Sequence, residues 1–143
     1  MKRIMAALLT LICLITLVAC KQELVDQSKI YSVYYVSNSE TKIEMHEHYM
    51  EAEDLESQVT ELLNALATTP AKLEYKAPLN MGFQVQSVDV NMGKVHLDMT
   101  ENYNSLSTTT EVLVRAAIVR TLTQLNQINF VSITVNGNPL LDS

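Results

Sequence analysis

A chain of 143 residues with 48% hydrophobic and 18% charged side chains accommodates one compact domain of ordinary size with a single core. It has no long Gly/Ser, Gln/Asn or Pro-rich tract and no internal repeat, which excludes a disordered or solenoid architecture. Its formal charge of −6 disfavours nucleic acid as a partner, because phosphate binding draws its affinity from Lys and Arg, and it disfavours adhesion to anionic lipid through a basic patch.

The first elements are a leader and a tether. Lys2 and Arg3 form a positive n-region, Ile4 to Val18 an apolar h-region, and Leu17-Val18-Ala19-Cys20 a small-residue cleavage site followed by a cysteine. This segment resembles a bacterial lipobox. The resemblance implies a signal peptide over residues 1–19, a diacylglyceryl group on the Cys20 sulfur, and cleavage that makes Cys20 the mature N-terminus. One acyl chain alone binds a membrane with an association constant of only about 10⁴ M⁻¹, whereas two hold firmly. An uncleaved membrane-spanning anchor is the competing reading, but the apolar run falls short of the roughly 20 residues that cross a bilayer comfortably. Cys13 leaves with the leader, so the mature chain keeps no cysteine for a disulfide, a thiolate metal site or a catalytic thiol. Loss of Lys2 and Arg3 also makes it two charges more acidic.

Residues 20–28 read as the lipidated cysteine and a polar spacer, with the folded domain spanning 29–143. "IYSVYYV" (Ile30 to Val36), β-branched and aromatic, predicts a strand; Tyr31, Tyr34 and Tyr35 cannot all point inward, so aromatic surface is expected on an open face. After the turn Ser37-Asn38-Ser39-Glu40, Lys42 to His48 alternates, with Ile43 and Met45 on one face and Glu44, His46 and His48 on the other. Leu55, Val59, Leu62 and Leu66 form one helical stripe within Asp54 to Ala67. Thr68 to Gly82 has prolines at both ends and no clear period, so it is expected to cross the surface as a long, functional connection.

Gln84 to Val90 and Lys94 to Met99 flank Asn91-Met92-Gly93 and predict a hairpin whose glycine takes positive φ. "ENYNSLSTT" reads as a polar loop. Thr108 to Glu111 fits a capping box for a helix running to about Leu125, with Val112, Ala116, Ile118, Val119, Leu122 and Leu125 on its apolar face and Asn126 ending it. Phe130 to Val135 is the last strand, stopped by Asn136-Gly137-Asn138-Pro139. The order β-β-α-β-β-α-β predicts an α+β domain: one antiparallel or mixed sheet of four to five strands, both helices on one face, and the other face open.

Several patterns together, "VYYV", "APLNMG" leading into "VQSVDVNMGKVHLDMTENY", and "LVRAAIVRTLTQL" running into "INFVSITVNGNPL", resemble the GerMN domain of sporulation and spore germination lipoproteins over Ile30 to Leu140. The resemblance implies a non-enzymatic domain without a cofactor, similar in architecture to the ring-building motifs of secretion-type assemblies, where such units pack side by side. A second copy of this chain is therefore one implied partner. GerM-type proteins carry two such domains in tandem, and this chain has room for one.

The sharpest chemical candidate is "EMHEHYME". Glu44, His46 and His48 on one strand face could hold Zn²⁺ with a position open for water, as in a metal-dependent hydrolase, with His96 as a third nitrogen ligand. The bland reading is a charged strand that protects a sheet edge. Asp98, Glu101 and Asn102 lack calcium-loop spacing. Arg115 and Arg120 stand five positions apart and point to different sides of their helix, which suits solvation better than a phosphate clamp. No nucleophile elbow, P-loop or dinucleotide fingerprint occurs in the mature chain.

The leading expectation is an extracytoplasmic module, anchored by Cys20 to the lipid bilayer, that acts on another envelope protein through its open sheet face or helix edges. The rivals are a cell-wall sugar or peptide binder, where the Thr68 to Gly82 loop meets exposed tyrosines, and the zinc hydrolase.

Overall fold

The computed structural model describes residues 26–71 and 74–140. The leader, the cleavage site and Cys20 lie outside the described residues. No helix among the described residues is long and apolar enough to cross a membrane.

Among the described residues, seven strands and two α-helices form one α+β domain. β1 is Ile30–Ser37, β2 Ile43–Tyr49, α1 Leu55–Ala67, β3 Tyr75–Lys76, β4 Val85–Asn91, β5 Lys94–Met99, α2 Thr108–Leu122, β6 Phe130–Val135 and β7 Asn138–Pro139. They divide between two sheets rather than the single one expected: an antiparallel sheet in the order β2-β1-β3 and a mixed sheet in the order β4-β5-β6-β7, with β5 and β6 parallel. The division has a visible cause. β3 pairs only with Val36 and Ser37 of β1. Upstream of that, side chains of α2 and of the residues just after it take the free edge of β1: Gln124 Oε1 accepts from Ser32 N at 2.7 Å, Gln124 Nε2 donates to Ser32 O at 2.5 Å, and Thr121 Oγ1 accepts from Tyr34 N at 3.1 Å. A strand whose edge is already satisfied by a helix cannot extend into the second sheet.

Both helices pack on β1 and on each other, and α2 also reaches β6. One core results, collecting Val33 and Val36 from β1, Val59, Leu62 and Leu66 from α1, Val114, Ile118 and Leu122 from α2, and Val95, Leu97 and Met99 from β5. α1 starts where the sequence suggests, with the Asp54 carboxylate accepting from Ser57 N at 3.0 Å as N-cap.

α2 departs from expectation in three ways. Its cap is Ser107, whose Oγ accepts from Thr110 N, and Glu111 faces the Tyr103 hydroxyl and Arg115 instead of closing a capping box. It ends at Leu122 on Thr123, whose hydroxyl bonds Val119 O in right-handed geometry, so no left-handed Asn126 is needed. Its buried side includes Thr110 and Thr121, while Val112 is half exposed. The two threonines are inside because they have polar partners there, Glu40 and the Tyr34 amide.

The 68–82 connection carries β3 and buries Ala77 and Leu79, with Leu79 N donating to Leu66 O. The "ENYNS" stretch is a 3₁₀ turn that buries Tyr103 edge-on to Phe83, with ring centroids 4.9 Å apart. The β4–β5 turn matches expectation. Met92 and Gly93 both take positive φ, 48° and 78°, giving the two-residue turn whose twist suits a hairpin. Its glycine is also required by packing, since a Cβ there would lie 2.5 Å from Asn129 Nδ2 and 3.1 Å from Gln127 O.

Candidate functional site

Alternation along β2 is as the sequence suggests, but the faces are inverted with respect to solvent. His46 pairs with Val33, His48 with Tyr31 and Glu44 with Tyr35, which places this set on the α1 side of the sheet. The Tyr35 hydroxyl donates to Ala65 O of α1 at 3.2 Å, and burial raises the Tyr35 phenol pKa above its ordinary value. His46 is wedged edge-on between Tyr35 and Tyr75, at centroid distances of 5.3 and 4.8 Å, with Nε2 buried and without a hydrogen-bond partner.

His48 Nε2 donates to Glu61 Oε1 of α1 at 2.7 Å. The same carboxylate accepts from the backbone N–H of Glu51 and of Ala52, the latter at 2.8 Å. Partial burial alone would push the Glu61 carboxyl upward, but these amides and His48 outweigh it and hold its pKa below the ordinary 4.5. Glu44 is engaged by Lys42, whose hydrogen bond and charge hold it below the usual carboxylate range.

The three candidate zinc ligands thus stand in three different settings, His48 on Glu61, Glu44 on Lys42 and His46 between two tyrosine rings. Among the described residues no group of three His, Cys, Asp or Glu is arranged to hold a metal ion. His96 stands on the other sheet, where Nδ1 meets Ser132 Oγ at 2.8 Å and Nε2 meets Thr134 Oγ1 at 3.3 Å. Thr134 in turn donates to Asp98 Oδ1 at 2.6 Å. The array contains serine, histidine and aspartate, but a threonine separates the last two, and it lies flat across paired strands, where it acts as a cross-strand ladder. Asp98 also accepts from Gly137 N, Glu101 from Asn136 Nδ2, and Asn102 donates to Gly82 O. Asp98 and Glu101 thus hold adjacent residues of the 136–137 turn and Asn102 holds the Gly82 carbonyl, so the two carboxylates are spent on that turn.

The face of β1 and β2 that carries Tyr34 and Met45 is buried at one end, where Val36 is in the core and Ile43 packs against it, and turns outward toward the Ile30–Tyr49 end. Tyr34 stands directly opposite Met45, and Tyr49 opposite Ile30. Met45 is 52% and Tyr49 46% exposed. Arg120 reaches from α2 across this face and stacks over the Tyr34 ring, 4.5 Å from its centroid, a cation–π contact that sequence spacing did not reveal. Arg115 pairs with Glu111 at 3.2 Å on its own helix, so the two arginines do diverge. Of the three crowded tyrosines, Tyr31 and Tyr35 turn toward the core and Tyr34 turns out.

Around the long connection the chain is concave. A cleft of about 340 Å³ is lined by Thr69, Tyr75, Lys76, Asn80 and Met81 among others, and another of about 720 Å³ by Asn80, Phe83 and Glu101 among others. Tyr75 lines the first of them, and neither is lined by Tyr34 or Tyr49.

The family model for Germane, described as sporulation and spore germination, matches residues 32–141. The chain belongs to the Germane family. Its Germane domain contains all of the outward face just described, from Tyr34 through Met45 and Tyr49 to Arg120, while Cys20 precedes it. Among solved structures the domain is similar to the first GerMN domain of the sporulation protein GerM from Bacillus subtilis, with a TM-score of 0.61 at 19% identity, covering 78% of this chain and 85% of that one. The tandem GerMN domains of the same protein match with a TM-score of 0.60 at 17% identity over 78% of this chain. The present chain spans only 40% of that tandem structure. A candidate lipoprotein from Clostridium perfringens matches with a TM-score of 0.50 at 22% identity, covering 82% of each chain. No curated protein matches significantly. These similarities establish the Germane fold.

Proposed function

We propose that this Germane domain is a non-catalytic, lipid-anchored interaction module of the cell envelope, working in sporulation or germination. Cys20 is its membrane attachment, and the outward face of β1 and β2 docks another envelope protein. The observation that carries this reading is the arrangement along β2: His48 is paired with Glu61 of α1, His46 is wedged between Tyr35 and Tyr75 and Glu44 is held by Lys42, while Met45 and Tyr49 face water beside the Tyr34–Arg120 stack. Aromatic, Met and Arg side chains grouped on one face are the composition of a protein-binding patch. The similarity to a candidate lipoprotein and the lipobox pattern support the anchor.

A photo-crosslinking residue at Tyr49 is expected to capture one discrete envelope protein in native membranes, and Met45→Glu is expected to abolish the adduct. Because both positions are exposed, stability should change by no more than about 0.5 kcal/mol. A crosslinker at Asp89, on β4 of the second sheet, should capture nothing; equal capture there would contradict the assignment. Cys20→Ser is expected to release the protein from the membrane fraction or leave it unprocessed, and unchanged fractionation and processing would contradict the anchor.

A further inference from the structure

The domain has a tether-proximal end. α2 runs antiparallel to β1, with Thr110 at the Glu40 turn and Gln124 at Ser32. Met50 N donates to Lys29 O, and Asn129 N donates to Gly93 O at 2.7 Å. With Gln124 on Ser32 and Asn129 only five positions further on, the start of β1, the β4–β5 turn and the start of β6 lie toward one end. Five residues lie between Cys20 and Asp26, so the six chain steps reach at most about 22 Å. The opposite end lies farther away by the length of α2, about 22 Å for its 15 residues.

That near end carries an unexpected side chain. Met92 is 96% exposed at a φ of 48°, a backbone conformation that favours Asn or Gly, so a long apolar side chain there gains no packing and relieves no strain. Phe130, the first residue of β6, pairs in register with Lys94 and is 53% exposed. The Lys94 ammonium lies over the Phe130 ring, 5.8 Å from its centroid, so the one cation of this corner sits beside its aromatic ring, within side-chain reach of a lipid phosphate.

We infer that the corner formed by Met92, Phe130 and Lys94 rests on the lipid bilayer and holds the domain in one orientation; this depends on the proposed anchoring at Cys20. An apolar pair with one snorkelling lysine suits the headgroup boundary, which accepts aromatic and thioether groups without a basic patch. The exposed carboxylates of Glu51, Glu53 and Asp54, before α1 at the same end, repel anionic headgroups and confine the contact to the corner of the second sheet.

The test uses the full lipidated protein in vesicles of phosphatidylethanolamine and phosphatidylglycerol. An environment-sensitive dye is placed at Met92→Cys or, at the far end, at the exposed Val112→Cys. Nitroxide at the lipid headgroup is expected to quench the dye at 92 about threefold more strongly than at 112, because a shallow contact lies only about 5–10 Å deep. Adding Phe130→Ser should remove most of the difference. Equal quenching at the two positions overturns the inference, as does a blue-shifted dye at 92 that lipid nitroxide fails to quench, which would mean that protein covers the corner. Thiol labelling of the unsubstituted protein separates the two ideas. A reactive Cys20 overturns anchor and orientation together, whereas a blocked Cys20 with an unquenched position 92 overturns the orientation alone.

Discussion

Gln124→Ala is expected to lower the unfolding free energy by about 3 kcal/mol, since each buried backbone group left without a partner costs about 1–3 kcal/mol. Gln124 sits just beyond α2, yet it substitutes for a strand: its amide oxygen and nitrogen satisfy both backbone groups of Ser32 on the edge of β1 that β3 does not cover. Alanine leaves that N–H and C=O facing α2, where water has limited access. Gln124→Glu is the sharper variant, because its carboxylate still accepts from Ser32 N but opposes Ser32 O with negative charge. It should be at least as destabilised as alanine at neutral pH and recover as the carboxyl is protonated. Urea unfolding measures both, and a loss of under about 1 kcal/mol for alanine would show that water replaces the amide without penalty.

Glu61→Ala is expected to cost about 2 kcal/mol at neutral pH, the scale of hydrogen bonds to a charged group. One carboxylate of α1 receives His48 and the amides of Glu51 and Ala52, and so ties the end of β2 to the helix that follows it. The pH dependence has a definite sign. The Glu61 carboxyl is held below its ordinary value of 4.5, so its contribution is fully present above about that pH and is lost as the pH falls through the lower folded value. The difference between the unsubstituted protein and Glu61→Ala should therefore narrow in acid. Glu61→Gln keeps an acceptor oxygen and should recover part of the stability without that acid limb. A gap that stays constant from neutral pH into strong acid would remove the carboxylate from the explanation.

These two side chains mark where sequence reading stops. The start of α1 at Asp54, the hairpin turn with positive φ at Gly93, and the alternation of β2 are local matters, decided by residues within a few positions of one another, and each was legible. Gln124 and Ser32 are 92 positions apart, and nothing near either announces the pairing. The same holds for Thr121 with Tyr34 and for Arg120 stacked on Tyr34. Within α2 the residues Val112 to Val119 are mostly apolar on every side, so composition cannot say which side is inward, and buried Thr110 and Thr121 with half-exposed Val112 resolve it against simple hydrophobicity. The capping box was misplaced by one residue for a similar reason. Ser107 and Thr108 are equivalent as capping side chains, and the Tyr103 hydroxyl decided the matter by taking Glu111.

The sequence by itself determined five strands and two helices in their order, missing only the two-residue strands β3 and β7, together with the likeness to GerMN domains and the two alternating sets on β2, because hydrogen bonding and side-chain direction along a single helix or strand depend on neighbours in the chain. Only the tertiary structure decided which set faces water. A strand's period of two is symmetric with respect to its faces, and the symmetry is broken by whatever packs against one of them. Here α1 supplied Glu61 for His48 and a carbonyl for Tyr35, so the polar set turned inward and left Met45, Tyr49 and Tyr34 on the surface.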